Sequence, residues 1–247
     1  MGVLGPRIRR AVDIAQAQSI QTFVEGVFLT VGGLLPIMNP FSTAPLFVSL
    51  TASMEPPRRQ NQAMKACIYA FAILVVFLVL GAAIVEFFGI SIAGIRAAGG
   101  LIILAIGFRM LFPAAKTGGD VGPSAAPDDD FAFSPLAMPS LAGPGSIAVV
   151  MSAAAQIRSA RPDDWAVIYT AVVVGMAVTL VFSYLVLRLA SAMVRFLGRE
   201  GIDAMTRIFG FLLVCIAMQF LLTGIADFYG LPSGSAPVAQ VSLFTQA

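Results

Sequence analysis

The stretch LLPIMNPFSTAPLF, residues 34–47, interrupts a long apolar run with three prolines and one asparagine. Pro36 and Pro40 lack a backbone N–H and their rings crowd the preceding turn, so a continuous helix over residues 23–50 is not expected. Inside a membrane, such a break survives only where protein or an internal water-filled cavity covers it. The stretch therefore predicts a broken helix beside an internal site, and a kink packed against neighbouring helices is the simpler alternative.

The composition places the whole chain in a membrane. Of 247 residues, 58% are hydrophobic and 11% are charged, and the mean hydropathy is +0.91, whereas soluble domains carry about 25% charge. A β-barrel would need segments of about ten alternating residues, which the sequence lacks. We expect an all-α polytopic protein of six transmembrane helices. Six apolar stretches predict these helices, at about 23–50, 66–88, 90–112, 133–157, 165–187 and 205–229.

Several function classes are disfavoured by what the sequence lacks. Histidine is absent, which removes imidazole as a base or metal ligand. No helix carries a Ser–Lys pair, no paired aspartates lie at mid-membrane, and no metal-ligand cluster is visible, so neither an enzyme nor a metal site is expected. The net charge of +2 and the lack of a basic, aromatic patch speak against nucleic-acid binding.

The two halves of the chain resemble each other. LLPIMNPFSTAPLFVSLT at 34–51 and PLAMPSLAGPGSIAVVMS at 135–152 each contain a matching pair of prolines, Pro36/Pro40 and Pro139/Pro144. The second proline of each pair follows Asn or Gly and precedes small hydroxyl residues. GIRAAGGLIILAIGFRMLF at 94–112 likewise matches MTRIFGFLLVCIAMQFLL at 205–222. We predict one transmembrane domain, 1–247, with repeats at about 22–115 and 131–230 joined by the polar linker 116–130. Because each unit has three spans, the second is inverted and each first helix is broken.

Matched interruptions in two inverted halves indicate a binding site near the bilayer midplane. The half-helix after Pro40 would direct free N–H groups and a partial positive charge at a carboxylate such as that of an amino acid. Asn39 offers a donor and an acceptor, glycines admit a small ligand, and the prolines set the geometry. The predicted substrate-binding residues are Asn39, Pro40, Ser42, Thr43, Gly143, Pro144, Gly145 and Ser146.

Ion coupling has two candidate carriers. Glu25 and Glu86 are ionisable residues in apolar stretches, which suggests proton coupling, although both lie near predicted helix ends, where interfacial snorkelling or capping is the alternative. Backbone carbonyls at the breaks could instead bind Na⁺. No other cofactor is expected. The loops at 51–65, 109–130 and 188–207 hold nine basic residues against six on the opposite side, so the positive-inside rule predicts both termini outside.

The same residues resemble a known family. LLPIMNPFSTAPLFVSLT, FGISIAGIRAAGGLIILAIGFRML and PLAMPSLAGPGSIAVVM, in that order, are similar to the MarC family of bacterial inner-membrane proteins over roughly residues 20–228. Ser42 stands where that family often has glycine. The resemblance implies six helices in the inner membrane, a relation to LysE-type exporters, and for some members transport of glycine or alanine.

These observations predict a secondary transporter that alternates access around a midplane site. Its expected partners are a small polar solute, most simply a neutral amino acid, and the lipid bilayer. The alternative is a membrane scaffold or assembly protein that transports nothing.

Overall fold

The predicted all-α fold is confirmed by the computed structural model, which describes residues 6–112, 130–160 and 165–231. Within these ranges the chain forms helices and no strand. An irregular helical segment, Ala132–Leu141, precedes α5. The helices are α1 (Pro6–Met38), α2 (Pro40–Leu50), α3 (Pro56–Phe87), α4 (Ile92–Leu111), α5 (Pro144–Ala160), α6 (Trp165–Arg188) and α7 (Ala190–Tyr229).

The predicted membrane spans correspond to these helices. Five are long and apolar enough to cross a membrane, over residues 18–38, 56–87, 92–111, 165–188 and 200–229. The irregular segment and α5 together provide a sixth span when counted as one, and they are bent by 61° at residues 142–143. The helix α2 is a further, shorter apolar helix.

The bounds of the helices differ from the sequence prediction at three places, the first of which is α1, which begins at Pro6 instead of residue 23. The second span begins at Pro56 instead of residue 66, and the last belongs to a helix that begins at Ala190 and is divided at Gly198 (φ 65°, ψ −177°). A tight turn joins the second and third spans, with Gly89 at φ 63°. Glycine accepts both positive-φ geometries without steric cost. Apart from Asp130, the predicted linker 116–130 lies outside the described residues.

Helices α4 and α7 pack antiparallel through small residues. A Cβ on Gly100 would lie 2.9 Å from the Ala217 carbonyl oxygen, and one on Gly107 would lie 3.0 Å from the Gly210 carbonyl oxygen. Towards the other end of the pair, a Cβ on Gly224 would lie 2.7 Å from the amide nitrogen of α4 residue 97. Close backbone approach at small residues is how membrane helices gain packing energy, because lipid supplies no hydrophobic drive between them.

Two other helix pairs run parallel. Gly26 of α1 packs against Ala171 of α6, and one turn further on Thr30 packs against Gly175. In the same way α3 lies beside α5, where Gly81 contacts Met151. The buried core fills the space between these pairs. Its largest fully buried side chains include Leu34, Phe47, Leu74, Leu141 and Met176.

Candidate functional site

The first break falls at Asn39. Pro36 lies inside α1 and does not end it, so the expectation that Pro36 helps to break the helix was wrong. A proline ring crowds the carbonyl four residues earlier, which belongs to Gly32, and the helix nevertheless continues to Met38. Asn39 then leaves the helix in the left-handed region, at φ 33° and ψ 72°, a geometry that asparagine tolerates better than most residues.

Asn39 caps the second half of the broken helix. It is 2% exposed, and its Oδ1 accepts the Ser42 N–H at 3.3 Å. Its carbonyl oxygen accepts the Ser42 and Thr43 amides, at 3.1 and 3.4 Å, and the Ser42 hydroxyl at 3.0 Å. This is an ordinary N-cap arrangement. The first-turn amides of Ser42 and Thr43 are therefore occupied by Asn39, contrary to the expectation that the half-helix presents free N–H groups.

The second break has an irregular backbone on its N-terminal side. Within Ala132–Leu141, Ser134 and Met138 leave helical geometry, and the peptide bonds before Pro135 and Pro139 are cis. The Ala142 N–H donates to the carbonyl of residue 137 at 2.8 Å. A regular helix, α5, restarts at Pro144, where a proline fits because no N–H is required at a first helical position.

Ser146 and two glycines form the inner surface of this break. The Ser146 side chain is 1% exposed, and its hydroxyl is shared between the carbonyls of Gly143 (2.9 Å) and Leu141 (3.2 Å). A Cβ on Gly143 would lie 2.5 Å from the Pro139 carbonyl oxygen. Gly145 is buried as well. The missing side chains let the Pro139 carbonyl approach Gly143 and apolar side chains approach Gly145, and that these glycines admit a small ligand stays a prediction.

The two breaks lie side by side, although about a hundred residues separate them in sequence. The hydroxyls of Thr43 and Ser140 are 2.8 Å apart, and either can be the donor. Thr43 is 2% exposed. Two residues before the first break, Ile37 reaches the Cβ position of Gly145 at 3.2 Å. These two contacts bring the predicted site residues of both halves together.

The predicted site residues do not all have the same surroundings. Pro40 is buried as the first residue of α2, whereas Ser42 and Pro144 are exposed. The Asn39 side-chain oxygen and the Ser146 hydroxyl each bond within their own break, so the structure as described shows no hydrogen bond between these two predicted binding residues.

The candidate coupling residues lie away from the breaks. Glu25 is half-buried and accepts a hydrogen bond from Gln21 Nε2 at 3.0 Å, one turn earlier in the same helix. Glu86 is exposed next to the end of α3. Within the described ranges, no hydrogen bond or ion pair connects either carboxylate to a break. The same part of the chain contains no group of three Cys, Asp or Glu side chains that could hold a metal ion.

Sequence reasoning missed three contacts of functional interest. Ser140 directly follows Pro139 in the second break, and a hydroxyl residue next to a proline of the break was the available signal. Met110 lies near Asn39, with its sulfur 3.9 Å from Nδ2. Arg96 forms an ion pair with Asp227, between α4 and α7. The positions of Met110 and of this ion pair carry no local sequence signal.

The fold and the two facing breaks define a class of protein: an integral, multi-pass α-helical membrane protein with interrupted helices. The family model of the MarC family integral membrane proteins matches residues 24–229. The chain is 40% identical over 204 residues to the UPF0056 inner membrane protein MarC of Salmonella typhimurium, covering 78% of this chain and 91% of that protein. The corresponding proteins of Escherichia coli O1:K1 and Citrobacter koseri are 41% and 40% identical over the same shares.

No solved structure matches the chain. The identities and the coverage nevertheless establish that this chain belongs to the MarC family of inner-membrane proteins. The predicted family and the predicted inner-membrane, multi-pass character are confirmed.

Proposed function

We propose that this protein is a secondary transporter of a small polar solute, with neutral amino acids such as glycine and alanine as the substrate class. The observation that carries the proposal is the meeting of two helix breaks from opposite halves of the chain, through Thr43 and Ser140 and through Ile37 and Gly145. Irregular backbone at membrane depth is costly unless it is covered or lines a cavity. Its presence twice at one place favours a site over a pair of unrelated kinks.

The helix pairing supports an inverted repeat. A two-fold axis in the membrane plane would exchange the broken first helix, α1 with α2, for the irregular segment with α5, and would exchange α3 with α6 and α4 with α7. It would therefore exchange the contacts of α6 with α1 and α2 for the contacts of α3 with the irregular segment and α5, and leave the α4–α7 pair on the axis. All of these contacts are present, and the α4–α7 pair runs antiparallel, as such an axis requires. In transporters with this symmetry, the two halves rock around a site at their interface.

The Thr43–Ser140 hydrogen bond is suited to a conformational cycle. Hydrogen bonds between helices of membrane proteins contribute about 0.6 kcal/mol on average, close to the thermal energy. A contact of this strength holds the two breaks together in one state and opens without a large barrier. When the two hydroxyls separate, each could bond instead to an amino or carboxylate group of a solute, since hydroxyls both donate and accept hydrogen bonds.

Uptake of radiolabelled glycine and alanine into proteoliposomes tests the proposal, under a sodium gradient, a proton gradient and exchange conditions. Thr43→Val and Ser140→Ala are expected to lower uptake about 3- to 10-fold, the effect of losing one hydrogen bond to the solute. Ser49→Ala is the matched control, because its exposed hydroxyl donates to the Leu46 carbonyl in the same helix. Normal uptake in both break variants would mean that the breaks are architecture alone.

Absence of uptake under all three conditions would refute the amino-acid form of the proposal and favour a membrane scaffold or assembly protein.

Uptake into the same vesicles also tests which ion is coupled to transport. If uptake depends on the proton gradient and this dependence is lost in Glu25→Gln or Glu86→Gln, the replaced glutamate is the proton carrier. If uptake depends on sodium, backbone carbonyls at the breaks are favoured as its ligands. Orientation is part of the proposal too: cysteines placed in the terminal segments should react with an impermeant thiol reagent from the periplasmic side.

A further inference from the structure

A polar cavity of about 170 Å³ lies at one end of the helix bundle, away from the two breaks. Arg59 and Gln60 line it from the start of α3, Arg188 from the end of α6, and Ser191 from the start of α7. Phe47 of α2 and Leu187 of α6 complete an apolar side. The cavity is thus built by four helices from both halves of the chain.

The cavity has an excess of positive charge. Among the residues that the structure describes, its lining includes two arginines and no acidic residue. Within the described residues neither Arg59 nor Arg188 forms an ion pair, whereas Lys65 and Arg96 have carboxylate partners. The Nη2 atom of Arg59 is buried and has no hydrogen-bond partner among the described residues. A buried guanidinium donor left unpaired is costly, and an anion in the cavity would remove that cost.

Local geometry holds Arg59 in place for such a ligand. Its guanidinium carbon lies 5.4 Å from the centre of the Phe47 ring, a cation–π distance. The side chain is therefore supported on its apolar side. The first turn of α7 adds partial positive charge, since its cap residue Leu189 provides no side-chain hydrogen bond. The end of α6 has the opposite partial charge, which Arg188 itself offsets.

The depth of the cavity identifies the ligand chemistry. Its residues lie at the ends of α3 and α6, two helices long enough to cross the bilayer, and so at the level of the lipid headgroups. Guanidinium groups bind phosphate oxygens in pairs, and basic pockets between membrane helices take anionic headgroups. We propose that this cavity binds a phosphate group, with Arg59 and Arg188 as its principal ligands. An anionic phospholipid and free phosphate share this chemistry.

Thermal unfolding of the delipidated, purified full chain in a neutral detergent, without phosphate buffer, tests the proposal. One arm adds phosphatidylglycerol, with diacylglycerol of the same chains as the phosphate-free control. The other adds inorganic phosphate, with chloride at equal ionic strength. The variants are Arg59→Gln, Arg188→Gln and the conservative Arg59→Lys. Arg195→Gln is the matched control, because it removes one exposed positive charge at the same end of the bundle without lining the cavity.

We expect saturable stabilisation in at least one arm, with the apparent Kd raised about 10-fold or more in Arg59→Gln and Arg188→Gln. Arg59→Lys should show an intermediate loss and Arg195→Gln none. Stabilisation by phosphatidylglycerol alone would identify a lipid headgroup, and equal stabilisation by inorganic phosphate would identify a free anion. If Arg59→Gln does not fold, as judged by gel filtration, Arg188→Gln decides, since Arg188 is exposed at the rim.

The proposal is overturned if neither phosphate-bearing probe binds saturably to the wild-type protein. It is equally overturned if binding weakens as much in Arg195→Gln as in Arg188→Gln, because general charge attraction would then account for it.

Discussion

Replacement of Gly143 by alanine is expected to disturb the second break directly. The added Cβ would lie 2.5 Å from the Pro139 carbonyl oxygen. Ordinary van der Waals contacts begin at 3.4 Å, so the contact is short by roughly 0.9 Å, far more than a close-packed interior absorbs. The clashing atom belongs to the backbone of a proline-containing segment, which cannot rotate away as a side chain would.

The size of the effect follows from two opposing contributions. Overpacking of a tight site costs about 1–3 kcal/mol, and alanine recovers about 0.4–1 kcal/mol by restricting the unfolded chain. The net destabilisation expected for Gly143→Ala is therefore about 1–2 kcal/mol. For a chain of this size, each kcal/mol lowers the melting temperature by about 2–4 °C, which gives a decrease of roughly 2–8 °C.

The assay is the melting temperature in detergent, measured beside glycine uptake in proteoliposomes. Gly33→Ala is the control, because its Cβ would meet no atom outside its own helix and helix propensity favours alanine there. Gly33→Ala should melt at or above the wild-type temperature. A Gly143→Ala protein that melts with the control and transports normally would refute the reasoning, since the close contact would then have no structural consequence.

Three further predictions concern contacts outside the breaks. Gly224→Ala should lower the melting temperature, because its Cβ would meet the α4 backbone at 2.7 Å; no decrease would mean that α4 and α7 can move apart. The half-buried Arg96–Asp227 ion pair should give a coupling of about 1 kcal/mol in a double-mutant cycle of Arg96→Gln and Asp227→Asn, and additive losses would contradict it. The Ala132 N–H donates to the Asp130 carboxylate and holds the pKa of that carboxyl below its usual value. Wild type should therefore be more stable than Asp130→Asn, and this difference in stability should be complete above about pH 4, the unfolded pKa. The difference should disappear as the pH falls through the lower folded pKa. A difference that does not change with pH would refute this.

Local patterns in the sequence were sufficient for the membrane helices and for the existence of the breaks. Apolar runs of about 20 residues are forced into helices because lipid offers no partner for backbone groups. The turn at Gly89 and the restart of a helix at Pro144 follow from the conformational limits of glycine and proline. The exact location of the first break could not be predicted from such local patterns, because Pro36 is accommodated inside α1 whereas Asn39 leaves helical geometry.

The sequence by itself determined that this protein is an all-α membrane protein with two interrupted segments, since these properties depend on neighbouring residues. Only the tertiary structure decided that Thr43 meets Ser140, that Arg96 meets Asp227, and that Arg59 and Arg188 line one cavity. Each of these pairs joins residues about a hundred or more positions apart. Their meeting depends on how small residues set the spacing between helices, and packing of that kind is a property of several helices together.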